Sequence, residues 1–481
     1  MTIHDEVDAS TLLMTGRASL EDLREIVSNY PHLRPLVAAY PGTDEALLGW
    51  LASLGDPVVN QALVARRPTD AIPVLTPSSW SASAPATSQQ RKPAKLPRVI
   101  GLGLIVLAVA LAGVFFVPRL LTRAPVLAAG SSHTCVLTSD GTVSCWGDPP
   151  TFGHNDENGK TTPRPILELT DAVSVSANSE TCAVRADGTV SCWGPRLSDI
   201  STGGTHTQLT AIPMQGITGA AKIAAGVEHF CMVMDNASVS CWGDNQYGQV
   251  GNGTEIRDSA MGSAASAQVV GVADVTAISA GSSHTCAVSK DNTVKCWGYN
   301  LHGQLGDGST TNRTTATPVA NLPAVSAIAA GAWHTCALGK DRTVECWGRN
   351  DSGQLGNDTT TSSPSPTATQ VAGLTDVKAI AAGGSHTCAI RKDRTVVCWG
   401  DNQSGQLGDG TLTSSTTPVP VSNLTGVVGI AAGGSHTCAV RKDRTVVCWG
   451  SNSAGQLGTG DNTSSPVPVE GDTYELPTDL A

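Results

Sequence analysis

The rhythm of apolar and polar positions changes three times along the chain. Before residue 70 the apolar residues recur at helical spacing. Ser19-Leu-Glu-Asp reads as a capping box opening an amphipathic helix through Asn29, Pro31 ends it, and Thr43 caps a second helix over Glu45 to Leu54. Asp56-Pro57 then supplies an N-cap with proline at the first helical position. Leu, Val and Trp50 positions, as in Leu47 to Leu54, form the expected core of a small all-α domain over 1–69. From Pro68 to Gln90 the composition turns to Pro, Ser, Ala and Thr, which bury too little apolar surface to fold, so 70–98 reads as a linker with a basic end. Val99 to Val117 is a 19-residue run without a charge, long enough to cross a hydrocarbon core as a transmembrane helix.

After that run the pattern shortens to strand-length segments that repeat. The stretch Gly383-Gly-Ser-His-Thr-Cys-Ala-Ile-Arg-Lys-Asp-Arg-Thr-Val-Val-Cys-Trp-Gly400 has seven versions, and together they contain all fourteen cysteines. The pairs are Cys135 with Cys145, Cys182 with Cys192, Cys231 with Cys241, Cys286 with Cys296, Cys336 with Cys346, Cys388 with Cys398 and Cys438 with Cys448. Successive first cysteines stand 47, 49, 55, 50, 52 and 50 residues apart, a period that signals stacked or radially arrayed units.

Between the two cysteines the register of a β-hairpin can be worked out. Residue 391 faces 395 around the three-residue loop Lys392-Asp393-Arg394, whose third place is expected in the left-handed region. The seven copies put Gly141, Gly188, Ala237, Asn292, Arg342, Arg394 and Arg444 there. Counting outward, 388 and 398 form a non-hydrogen-bonded pair, with Cα atoms about 4.5 Å apart and within reach of a disulfide. Seven hairpin-clamping disulfides follow, each closing a loop of about 11 residues worth roughly 2–3 kcal/mol in the chain-entropy model. Zinc would call for closer spacings such as C-x2-C. Each repeat adds further strands, as in Ala379 to Ala382 and Thr417 to Val421, separated by a Gly-rich loop, Asp401 to Gly410. Four short strands seven times over predict a mainly β, seven-bladed β-propeller across 124–470, followed by a tail at 471–481. Closure is expected to pair the strand near Val467 to Val469 with the first repeat.

Charge narrows the setting. The formal net charge is −11, and after residue 123 there are 19 Lys and Arg against 31 Asp and Glu, which excludes a phosphate-backbone partner, so no nucleic acid is expected. Four cations precede the apolar run (Arg91, Lys92, Lys95, Arg98) and two follow it (Arg119, Arg123), which places the N-terminus in the cytoplasm and the propeller outside. An outside location suits disulfides. The expected localisation is therefore a single-pass protein of a bacterial cell membrane.

Two resemblances join these readings. His32 to Pro41 and Leu48 to Pro57 resemble the variant leucine-rich-repeat segment, over about 50 residues, implying a short helical solenoid that serves as an adaptor for a cytoplasmic protein. Ala-Ala-Gly-x-x-His-Thr, Cys-Trp-Gly-x-Asn and Gly-Gln-Leu-Gly are similar to the repeat of the regulator of chromosome condensation family, whose fold is a seven-bladed propeller. That family implies guanine-nucleotide exchange on a small GTPase, which the predicted topology opposes. The chain departs from its pattern in the paired cysteines and in repeats one and two, which lack Gly-Gln-Leu-Gly.

Candidate chemistry is sparse. His133, His229, His284, His334, His386 and His436 stand two residues before the first cysteine, with Glu180 in the second repeat. They read as hydrogen-bonding residues within each blade, and the seven Trp after the second cysteine as packing between blades. Asn155 to Gly159 and Gly460 to Ser464 read as turns in preference to calcium loops. No nucleophile-base pair or phosphate loop occurs, so no catalytic residue, cofactor or metal is expected and the protein is read as no enzyme. The expected function is recognition of a protein or cell-envelope ligand, with inhibition of an extracellular enzyme as an alternative. Since repeats four to seven are nearly alike, selectivity is expected where copies differ: the loops at 148–165 and 195–213, the insertion at 251–268, and the candidate ligand surface Phe152, His154, Arg196, Tyr247, Tyr299 and Trp333.

Overall fold

The computed structural model describes residues 126–148, 161–194, 211–255 and 266–471, together with Leu23, Ile26, Val37, Leu47 and Leu51. Those five N-terminal residues are helical and buried. The rest of the expected helical domain, the linker, the apolar run and the tail beyond 471 lie outside the described residues. Contacts divide the chain into two units, 1–104 and 105–481.

The second unit is a seven-bladed propeller of antiparallel four-stranded sheets, each built from one consecutive stretch of chain. Blade 4 shows the plan: Val275–Ala280 is innermost, then His284–Ser289, Val294–Gly298 and, outermost, Arg313–Pro318. The innermost strands pack side by side around a channel of about 350 Å³. Among the described residues its lining is Ala, Gly, Ser, Asn and a ring of Ile, Val and Leu, with no charged side chain.

The hairpin in each blade has the register that its spacing requires. Cys388 pairs with Cys398 and Ile390 with Val396. Arg391 N–H donates to Thr395 O at 2.9 Å, Arg394 N–H donates to Arg391 O at 2.9 Å, and the third loop residue is left-handed in all seven blades, with φ from 61° at Ala237 to 87° at Gly141. Asp393 accepts from the Thr395 amide and hydroxyl at 3.0 and 2.7 Å, which locks the loop from inside.

Every disulfide expected from the spacing is formed, and each stays within its own blade. Cys135 is bonded to Cys145, Cys182 to Cys192, Cys231 to Cys241 and Cys286 to Cys296 in blades 1–4. In blades 5–7 Cys336 is bonded to Cys346, Cys388 to Cys398 and Cys438 to Cys448, which leaves no free cysteine. The Cα atoms of the seven pairs lie 4.0–4.1 Å apart. That is closer than the spacing of about 4.5 Å expected for a non-hydrogen-bonded pair.

The histidines correct one expectation. They bond between blades, not within one. His284 Nε2 lies 2.9 Å from Thr335 Oγ1 of the next blade, and five further His–Thr pairs of this kind span 2.7–2.9 Å. The Thr335 hydroxyl donates to the Gln304 carbonyl at 2.9 Å, so it accepts from the imidazole, which fixes the proton on Nε2. Trp347 Nε1–H donates to the same carbonyl at 2.9 Å. The Gly-Gln-Leu-Gly loop is thus a plug: its carbonyl receives Thr and Trp from the following blade. Gly331 lies so close to the His334 ring that an added Cβ would stand 2.3 Å from it, which explains the glycine of Ala-Ala-Gly-x-x-His.

Closure is a second correction. Ser465–Glu470 pairs with Val446–Gly450 of its own blade, not with the first repeat. The ring closes by the seam used elsewhere: His436 to Thr134 at 2.9 Å, Thr134 and Trp146 to the Gln456 carbonyl at 3.0 and 2.9 Å, and Gly434 N–H to Gly130 O at 3.1 Å.

Candidate functional site

Because hairpin turns gather at one end of every blade, the other end carries the long loops, and an aromatic patch forms there across blades 3, 4 and 5. The loops with Tyr247, Tyr299 and His302 follow a third strand and are braced internally, whereas Trp333 stands between the first and second strands of blade 5. Asn300 Oδ1 accepts from Leu305 N–H at 2.9 Å, and Gln304 Oε1 accepts from His302 N–H at 3.1 Å. In blade 3, Gln249 Oε1 holds the Tyr247 amide in the same way at 2.9 Å. The Tyr299 amide donates to Ser283 O, and Trp333 O accepts from the Arg349 amide, both at 2.9 Å. Four side chains are therefore presented on fixed backbone.

Tyr247 and Tyr299 meet edge to face with centroids 4.9 Å apart, Tyr299 and Trp333 at 5.4 Å, Tyr299 and His302 at 6.1 Å, and His302 and Trp333 at 5.8 Å. These distances fall within the range for favourable ring contacts. All four are partly exposed, and Leu301 beside them is 55% exposed. Arg349 and Asp351 form an ion pair at the margin. Burial and the Arg349 guanidinium hold the His302 imidazole below its usual range, opposed by Asp351. Burial, with Tyr247 adding to it, pushes the Tyr299 phenol up. The patch is therefore apolar and aromatic near neutral pH, with one cation in reach.

The corresponding positions elsewhere are small or polar. Tyr247 and His302 match Ser352, Ser404 and Ala454; Trp333 matches Ser283, Ser385 and Ser435. Of the six sequence candidates, Tyr247, Tyr299 and Trp333 come together, while Phe152, His154 and Arg196 lie outside the described residues. His302 is a member that sequence reasoning passes over, although its place in the loop, the place of Tyr247, distinguishes it from the seam histidines. The seam histidines offer no chemistry: they are fully buried, and burial lowers all six, to about 3 or about 4, with a neighbouring imidazole adding to it at His133, His284, His386 and His436. Asp461, in the loop between the third and outermost strands of blade 7, is engaged by the Thr459 hydroxyl and the Thr463 amide at 2.8 and 3.0 Å, as turn chemistry requires.

Comparison with known proteins agrees with this architecture. The RCC1-like domain matches residues 102–425, the regulator of chromosome condensation (RCC1) repeat matches 427–456, and the Leucine Rich Repeat Variant domain matches 8–67. The chain is 29% identical over 296 residues to the Ultraviolet-B receptor UVR8 of Arabidopsis thaliana, covering 59% of this chain and 67% of that protein. It is 28% identical over 293 residues to the human E3 ubiquitin-protein ligase HERC2, covering 60% of this chain but 5% of that protein. Among solved structures, human WBSCR16 matches with a TM-score of 0.62 at 21% identity, covering 71% of this chain and 96% of its own. Yeast RCC1 (Prp20), solved with Kap60, matches with a TM-score of 0.56 at 22% identity, covering 64% and 78%. With the family match spanning more than half of its length, the chain belongs to the RCC1-like domain family.

Proposed function

We propose that this protein is a membrane-anchored recognition module whose propeller stands outside the cell and captures a protein or cell-envelope ligand on the Tyr247–Tyr299–His302–Trp333 patch. The observation that carries the reading is the convergence of four rings from three blades at positions that hold small or polar residues elsewhere. Tyr and Trp give large contact area at low conformational cost, and such anchors dominate binding energy at interfaces. The seven disulfides and the apolar run at 99–117 support the placement. Exchange activity on a GTPase finds its support in family resemblance, with no residue of the patch to carry it.

The test uses a photo-crosslinking residue at Leu301, with Leu412, 60% exposed on the corresponding loop of blade 6, as the control. On intact cells, position 301 should capture one discrete species and position 412 none. Trp333→Ser should reduce capture by at least tenfold, about 1.4 kcal/mol or more, as for a central aromatic anchor. Equal capture from both positions sinks the assignment. Protection of the propeller from added protease in sealed cells sinks the outside placement.

A further inference from the structure

The turn face divides into two electrostatic halves. The hairpin loops of blades 1–3 (139–141, 186–188 and 235–237) hold three aspartates and no cation. Those of blades 4–7 (290–292, 340–342, 392–394 and 442–444) hold seven cations and four aspartates. Each aspartate accepts from the amide and hydroxyl of the threonine two residues on, as Asp291 does from Thr293 at 3.1 and 2.7 Å, and keeps its charge, so the seven cations exceed the four aspartates by three; Arg342 also lies 4.0 Å from Asp376 of the adjoining loop. The lysine in each of these loops is exposed. A basic crescent therefore sits on a propeller whose net charge is negative.

The chain also enters the propeller on this face. Val126 pairs with Leu137, which leads into the first hairpin loop, so the innermost strand starts at the turn end. Val126 is 44% exposed. Eight residues, 118–125, separate it from Val117, the end of the apolar run. Fully extended they span at most about 29 Å.

From these two observations we propose that the turn face of blades 4–7 docks on anionic phospholipid headgroups of the bilayer that the apolar run enters. The inference rests on the membrane-anchor reading above. A short tether leaving the turn face holds that face toward the lipid, and clustered Lys and Arg near an anionic surface are each worth about fivefold in affinity at low salt. The opposite face, with Asp244, Asp351 and Asp401 in its loops, is then turned outward, and the aromatic patch faces away from the membrane. Orientation, not only attachment, follows from the crescent.

The test reconstitutes the full chain in nanodiscs of phosphatidylcholine, with or without phosphatidylglycerol, and follows hydrogen exchange of the hairpin loops. Exchange at 392–394 and 442–444 should slow with phosphatidylglycerol, while 139–141 and the loop around Leu301 stay unchanged. The variant Lys392→Gln, Arg394→Asn, Lys442→Gln, Arg444→Asn should lose that protection. It should also bind preformed anionic vesicles about twentyfold less well, allowing for cations that do not reach a flat surface together. It should fold, because Asn292 occupies the corresponding left-handed place in blade 4 at φ 68°. Equal exchange in both lipids, protection around Leu301 instead, or the same protection by inorganic phosphate alone overturns the proposal. If the chain fails to enter nanodiscs, the anchor reading fails by itself. Flotation of the same protein with phosphatidylglycerol vesicles then decides the docking surface, binding supporting it and its absence ending it.

Discussion

Blades 4–7 and blades 1–3 share one fold but are joined differently. The seams from blade 4 to 5, 5 to 6, 6 to 7 and 7 to 1 each carry three bonds: His to Thr, Thr to a Gln carbonyl, and Trp to that carbonyl. Between blades 3 and 4 the His229–Thr285 and Trp297–Gln249 bonds are present. Between blades 1 and 2, where the plug loop is missing from the sequence, His133 still reaches Thr181 at 2.7 Å, but the buried Trp193 indole N–H has no acceptor among the described residues. Between blades 2 and 3 the motif is gone: Glu180 stands in place of His, and Phe230 in place of Thr stacks on Trp242 at 5.2 Å. Shape is thus held by two means. Disulfides clamp every blade equally, while polar seams tie the regular half, thin to one His–Thr bond between blades 1 and 2, and give way to apolar stacking between blades 2 and 3.

The largest expected effect comes from acid, which acts on the seams that contain histidine. An unfolded imidazole takes up a proton near pH 6.5, whereas the six buried rings stay neutral down to about pH 3–4. Between these values the unfolded chain binds more protons, so stability falls as pH falls. The contribution is complete above pH 6.5 and is lost progressively toward pH 4. Each ring accounts for about 1.4 kcal/mol per pH unit, and six for about 8 kcal/mol per unit, comparable with the whole stability of an ordinary domain. Urea unfolding of the oxidised protein between pH 7.5 and 4.5 should show the midpoint dropping steeply below 6.5. A flat midpoint across that range would mean that the rings are not held neutral.

A smaller effect separates complete from incomplete seams. Thr387 receives His334 and donates to the Gln354 carbonyl, so Thr387→Val removes two buried hydrogen bonds and should cost about 2–3 kcal/mol. Among the described residues Thr181 has the His133 bond without a plug carbonyl, and Thr181→Val should cost about 1 kcal/mol. Urea unfolding of both variants at pH 7.5 measures the difference. Equal losses would show that the plug carbonyl adds nothing to the seam.

How much of this is legible in the sequence depends on the range of the interaction. The hairpin at Cys388–Cys398 is local, so the register, the left-handed place at Arg394 and the disulfide all follow from counting. The His334–Thr387 bond joins residues 53 apart in different blades, and within one repeat the two residue types stand adjacent, which suggests a local role instead. One signal is present: Glu180 and Phe230 break the motif in consecutive repeats, as partners across a seam would. Tyr247, Tyr299 and Trp333 stand out as departures from the repeat, but their meeting depends on the rotation between neighbouring blades, which the repeat does not display. His302 is hidden by the number of other histidines until its loop position is compared with Tyr247. Ring closure is hard to read because a shared strand and a shared seam demand the same apolar residues near Val467.

The smallest expected effect lies in the turns, where the two halves differ in the opposite sense. Blades 1 and 2 place Gly141 and Gly188 in the left-handed position, while blades 5–7 place Arg342, Arg394 and Arg444 there at φ 68–72°. A β-carbon in that region is crowded against its own backbone, and Asn tolerates it better than Arg. Arg394→Asn should therefore stabilise the protein by a few tenths of a kcal/mol, read as a raised urea midpoint at high salt, where lost surface charge matters least. Gly188→Arg, the reverse change in blade 2, should cost about 1 kcal/mol, because the added Cβ would also stand 2.8 Å from the Gly219 amide nitrogen. If Arg394→Asn instead destabilises, the arginine makes a contact on the turn face that outweighs its strained backbone. The regular half would then owe part of its stability to the charge that sets it apart.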